Sequence, residues 1–315
     1  MYSYNYTDSS GIVNDKLGIS MSLSFESALE DEIARCGFDI AGQIDYSNRR
    51  FQRFKRISKS SKGKDIFVIL IENKGACFGD WHDPCNWITW FQNPSYESKK
   101  EIKEIISKIK KEEAIERAHV LLEIESLIQS IHCKEVDLNH PYLIKKQIRG
   151  LYCGQIENKL VIPVYGQSGK IQSIQYIYPD GKKLFHKGTS ALNGFILLGE
   201  NIDNVLRICE GWATGCSIYD AVSPCVAVAF NCSNLKNVAQ LFRSAHPKLR
   251  IIICADNDQY SPTNVGLDAA KYCAKNFSTE VFYPDFSGCD ISSKPTDFND
   301  LLCLKGIEEV ERQLL

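Results

Sequence analysis

No stretch of this sequence approaches the run of about 18 apolar residues that a membrane-spanning helix needs. The opening M-Y-S-Y-N-Y-T-D-S-S has neither the basic nor the apolar region of a secretory signal, so a cytoplasmic protein with no membrane partner is expected. Thirteen cysteines are present, but none stands as C-x-x-C or in a Cys/His cluster with zinc spacing. No zinc is expected, and the thiols read as reduced; Cys209 and Cys254, inside apolar runs, behave as small hydrophobes. There is no G-x-x-x-x-G-K-[ST] phosphate loop, hence no attached ATP-driven motor. Nor is there an excess of one charge: 37 basic against 39 acidic residues leave a net charge of −2, which creates no global field for nucleic acid.

What remains is a chain of 315 residues, 44% apolar and 24% charged, ordinary for a globular protein with room for two or three domains. Residues 1–24 are polar and read as a mobile tail. Residues 25–97 read as a small N-terminal α+β module. Helical spacing runs from Phe25 to Cys36 with Gly37 as its stop, followed by short strand patterns at Arg50 to Phe54, Asp65 to Ile71, Ala76 to Phe78 and Trp87 to Phe91. Three of the four tryptophans cluster here, as core or as a platform for stacked bases. From Arg49 to Lys64 the chain holds eight basic residues and no acid. Arg49, Arg50, Arg53, Lys55 and Arg56 form either a phosphate-tracking patch or a solvated hairpin loop.

Residues 98–138 repeat isoleucine and leucine on one helical face, which predicts one long connector or a hairpin breaking near Lys111. Residues 139–203 carry two strands, Lys159 to Val164 and Ile171 to Ile177, closed by a Pro179-Asp180-Gly181 turn. From residue 204 to the end, strands and helices alternate, predicting a mostly parallel sheet with helices on both faces. Two of its strands, Val205 to Cys209 and Leu249 to Ala255, end in acids: Glu210 followed by Gly211, and Asp256-Asn257-Asp258. Ligands of such sheets bind outside the carboxyl ends of the strands. Three carboxylates at that edge suit a hard cation such as Mg2+, unless they are solvated loop acids or helix caps.

A strand, then E-G and a helix, then a later strand ending in D-N-D, resembles the Toprim core shared by topoisomerases and bacterial primases. The segment before it, with an apolar strand containing Pro163 and a Lys187-Gly188 pair, resembles the primase-type basic subdomain. Residues 25–97 more loosely resemble the N-terminal module of primase-like proteins encoded by plasmids and phages. The resemblance implies an α/β fold with a Toprim-like core, and a DNA primase making short primers on single-stranded DNA from nucleoside triphosphates. Glu210, Asp256 and Asp258 would be catalytic residues and ligands of Mg2+ (or Mn2+), with Glu210 as ligand or general base. Lys159 and Lys187 would hold nucleotide phosphates or template. The final T-D-F-N-D-L-L resembles an element in which Asp297, Asn299 and Asp300 serve the site, Asp300 as metal ligand and Asn299 toward the nucleotide; the alternative is a helix cap. Two departures stand out, the absence of a zinc domain and Thr214 where replicative primases carry another acid. A helicase acting in trans is the expected partner, and a Toprim nuclease or a non-catalytic single-strand-binding accessory are the rival readings.

Overall fold

A computed structural model of the chain describes residues 24–48, 52–58, 65–71, 74–80, 87–92, 96–131, 136–222 and 225–315. Residues 1–23 of the expected tail, Arg49 and Arg50, the rest of the basic run beyond Ser58, and Trp81 lie outside them. Two compact units divide at residues 115 and 116.

In the first unit, helix α1 (Phe25–Arg35) is capped by Ser24, whose hydroxyl accepts from the Ser27 amide. Gly37 ends it at φ +80°, a conformation that side chains resist. Strands β1 (Ile40–Ala41), β2 (Gln52–Arg56), β3 (Ile66–Ile71), β4 (Gly75–Asp80) and β5 (Ile88–Phe91) form an antiparallel sheet in chain order. Alternation along β3 sends Ile66, Val68 and Leu70 toward Leu29 and Ile33 of α1. Trp90 is buried in the same core, so it packs rather than offering a platform. Helix α2 (Tyr96–Ile131) is continuous, without the break near Lys111 that its apolar repeat left open.

In the second unit, Ile124 and Ile131 of α2 pack on Val161 and Ile174. A short helix, α3 (Pro141–Lys146), opens with His140 as its cap and Pro141 in the first turn. Strands β6 (Gly154–Ile156), β7 (Lys159–Tyr165), β8 (Ile171–Ile177) and β9 (Lys183–Phe185) form a four-stranded antiparallel sheet. Its second face, through Leu160, Ile162, Val164 and Ile177, shares one apolar core with the C-terminal elements.

Those elements are β10 (Ile196–Leu198), β11 (Val205–Cys209), α4 (Trp212–Val222), β12 (Val226–Val228), α5 (Cys232–Ala245), β13 (Arg250–Cys254), α6 (Val265–Phe277), β14 (Glu280–Phe282), α7 (Phe298–Lys305) and α8 (Ile307–Leu314). The sheet order is β10-β12-β11-β13-β14, parallel except for β10 at one edge. Alternation decides its faces. Ile251, Ile253 and Ala255 join the core with α5 and α6, whereas Ile252 and Cys254 join the core with α4, α7 and α8. Arg207 lies buried on that latter face, its guanidinium donating weakly to the carbonyls of Val222 and Leu314. Those carbonyls close α4 and α8, and the negative ends of two helices offset a cation that has no carboxylate partner among the described residues.

Candidate active site at the carboxyl edge of the parallel sheet

Cys209 and Cys254 are register partners on adjacent parallel strands, so the residues that follow them leave the sheet side by side. Glu210 sits just past β11, its own carbonyl accepting from the Phe230 amide at 2.8 Å, and its carboxylate accepts from the Cys232 amide at the start of α5. Asp256 lies two residues past β13, and the first of its charged neighbours is Asp297, just before α7. One of its oxygens, Oδ1, is buried without a hydrogen-bond partner. Asp258 receives the Gly266 amide at 3.4 Å from the first turn of α6. Asn264 closes this loop by accepting from the Asp258 amide at 3.0 Å and donating to Asn257 at 2.9 Å, while also capping α6.

A fourth acid completes the group. Asp297 caps α7, one carboxylate oxygen accepting from the Asp300 amide at 2.8 Å and the other from the Thr214 hydroxyl at 3.0 Å. Burial raises the pKa of Asp256 to about 8, reinforced by Asp297, Glu210 and Asp258. Burial also raises Glu210, followed by Asp258 and Asp297, and burial with the neighbouring Asp300 raises Asp297. Carboxylates that raise one another in this way lie within electrostatic reach, and a cation placed among them would relieve the repulsion.

Two lysines face the acids. Lys183 has its ammonium 6.0 Å from the Tyr142 ring centroid and 4.0 Å from where a Cβ on Gly211 would stand. Although β9 is exposed, loss of solvation at that ammonium outweighs the attraction of Asp297, Asp256 and Glu210 and lowers its pKa. Lys146, at the end of α3, pairs with Asp300 at 3.1 Å. Burial opposes its charge, but Asp297 and Asp300 prevail and hold its pKa above the ordinary value.

The structure thus brings together Glu210, Asp256 and Asp258, as the sequence suggests, and adds Asp297, Lys183 and Lys146. Asp300, expected among the metal ligands, has its oxygens occupied by Lys146 and by the Thr296 amide at 2.9 Å. Asn299 is fully buried and donates to the Lys146 carbonyl and the Ser217 hydroxyl, tying α7 to α3 and α4 rather than reaching outward. Lys159 is not brought to the acids. Its neighbours are Glu157 at 3.6 Å and the Tyr176 ring, and Tyr176 packs on the α2 face of the sheet. Lys187 is exposed in the turn beyond β9. Arg53 and Lys55 point out of β2 on the first unit, and Arg56 is held by Asp39 at 3.5 Å and stacked on Phe38. Lys183 was legible in principle: the Pro179-Asp180-Gly181 turn sets it opposite Ile177, whose face is the core.

Among the described residues, no group of three or more His, Cys, Asp or Glu side chains is placed to hold a metal ion. The donor set nonetheless fits a hard cation that keeps waters. It is all oxygen, it carries an orphaned buried carboxylate atom, and Mg2+ usually takes one or two protein carboxylates.

This parallel sheet with acids at its carboxyl edge coincides with residues 205–308, which match the Toprim domain family. The chain is related to DNA primase TraC of Escherichia coli, with 30% identity over 159 residues, 47% of this chain. It spans 15% of the length of that relative and 11% of a second TraC. Among solved structures, it is similar to the zinc-binding and RNA polymerase domains of the Aquifex aeolicus primase (TM-score 0.43, 11% identity, covering 93% of this chain and 85% of that one). It is also similar to the primase fragment of the bacteriophage T7 primase-helicase (TM-score 0.38, 15% identity, 52% and 66%). No helix among the described residues is long and apolar enough to cross a membrane.

Proposed function

We propose that this chain is a primase-type nucleotidyltransferase that joins nucleoside triphosphates into short primers on single-stranded DNA with Mg2+ or Mn2+. The observation that carries this reading is the buried Asp256 carboxyl, with an unpartnered oxygen and a pKa raised to about 8 by burial first and by three neighbouring acids after it. A structural acid cluster would pair its buried oxygens internally; this one leaves a buried carboxyl oxygen unpartnered, and a cation there would take the place of the proton that the raised pKa retains. Asp256 and Asp258, with Glu210 and Asp297, would hold the ion. Once bound, it supplies charge neutralisation at the reacting phosphate and lowers the proton affinity of the attacking hydroxyl.

The chain's own groups do the rest. Lys183 and Lys146, on the β9 and α3 side of the acids, attract the triphosphate as point charges. Glu210, with its raised proton affinity, takes the hydroxyl proton, a role that requires hydrogen-bond reach of the 3′-oxygen. The relationship to TraC supports DNA as the template. Arg53 and Lys55 on β2, with Lys187 in the turn after β9, serve as template contacts. Incubating the protein with single-stranded DNA, labelled nucleotides and Mg2+ or Mn2+ tests the reading. New short oligomers are expected; shortened DNA would mean hydrolysis, and a mobility shift alone a binding accessory.

A further inference from the structure

We propose that the groove along the carboxyl ends of β13 and β14 receives the nucleobase of the nucleotide whose phosphates meet the acids. This rests on the nucleotidyl-transfer reading above and adds a second half to its substrate site. The groove encloses about 810 Å³, enough for a base and its sugar. It is continuous in the chain with the acid loop, because Asn257, between Asp256 and Asp258, lines it, as do Gln259 and Tyr260. Its other wall comes from the segment after β14, beginning at Tyr283.

Within walls that are otherwise largely polar, two part-exposed rings offer a surface on which a base can stack. Tyr260 and Tyr283 keep 36% and 49% of their surfaces exposed, and Ile291, also lining the groove, keeps 49%. Aromatic faces of this kind stack on bases without reading their identity. The charged side chains lining the groove are already engaged. Arg312 is held by both oxygens of Glu309 at 2.7 and 2.6 Å, and Asp285 accepts from the amide and hydroxyl of Ser287. Arg312, the one cation among the described residues that line this groove, is shared with Glu309, whereas two cations, Lys183 and the Asp300-paired Lys146, stand with the acids. The site is therefore split by charge: phosphates toward β9 and α3, base toward β14.

Calorimetry on the full chain in Mg2+ tests this with two ligands, a nucleoside triphosphate and inorganic tripolyphosphate. Wild type is expected to bind the nucleoside triphosphate more tightly. Substituting Tyr260→Leu with Tyr283→Leu should weaken that binding by roughly five- to a hundred-fold while leaving tripolyphosphate unchanged, as loss of a stacked base would. Tyr260→Phe with Tyr283→Phe, which keeps both rings, should retain wild-type affinity. Equal wild-type affinity for the two ligands, or a leucine variant that still prefers the nucleotide as wild type does, would overturn the groove assignment and leave the acid site standing. Wild type binding neither ligand would instead remove the nucleotidyl-transfer reading, and the groove with it.

Discussion

Burying a carboxylate among three others raises the free energy of its charged form, and that has a measurable sign. Folded, Asp256 keeps its proton up to about pH 8; unfolded, an aspartate releases it near about 4. Between those values the folded state binds more protons, so by linkage stability falls as pH rises. Glu210 and Asp297 act in the same direction. Carboxylates with depressed pKa, such as Glu309 at about 2, are already ionised above pH 6 and add no slope there. In a chelator, the melting temperature should therefore drop from pH 6 to pH 8, and Asp256→Asn should flatten the drop. A wild-type melting temperature that rises over this window would show that the acids do not repel one another. Thr214 offers a second test. Thr214→Val keeps the shape of a buried side chain but removes the donor to Asp297, a loss on the order of 1 kcal/mol. The variant should fold, melt slightly lower and make primers more slowly; primer synthesis at the wild-type rate would free Asp297 from any role.

At the scale of elements, close approach positions the site. A Cβ on Gly266 would stand 2.8 Å from the Asp256 carbonyl oxygen, so only glycine lets the first turn of α6 come near enough to donate its amide to Asp258. Gly266→Ala should push α6 off the loop and weaken Mg2+ or Mn2+ binding, read by titration, although alanine favours a helix by roughly 1 kcal/mol. An alanine variant with unchanged metal affinity would show that this approach is incidental. The strands ending in Glu210 and in Asp256 were readable beforehand because each is a short apolar run stopped by a charged turn, and sheet parity follows from that. The long α2 was readable by its isoleucine repeat. What the chain hid were contacts between distant elements. Lys183 reaches the acids because β9 pairs with β8, a contact visible only once the turn is placed, whereas Lys187 stands two positions past the end of β9. Likewise Asp300 and Asp297 look alike in sequence, and only the cap geometry of α7 shows which one is neutralised by Lys146. β10 and α8, at three and eight residues, were too short to stand out from their surroundings.

On the scale of the whole molecule, the acids, both lysines and the groove belong to the unit of residues 116–315, while Arg53 and Lys55 belong to the first. The two sets should separate by experiment. Arg53→Ala with Lys55→Ala should lower single-stranded DNA affinity and reduce its salt dependence, with a log–log slope shallower by roughly one or two, while nucleotide binding is unchanged. An unaltered salt slope would take the first unit out of template binding. The convergence of carboxylates on one cation remains the claim that everything else requires. It is tested most directly by titrating Mn2+ into the full chain and counting bound ions by electron paramagnetic resonance, for wild type and for Asp256→Asn with Asp258→Asn. The account predicts tight binding to wild type that the folded double variant loses; equal binding by both proteins would contradict it.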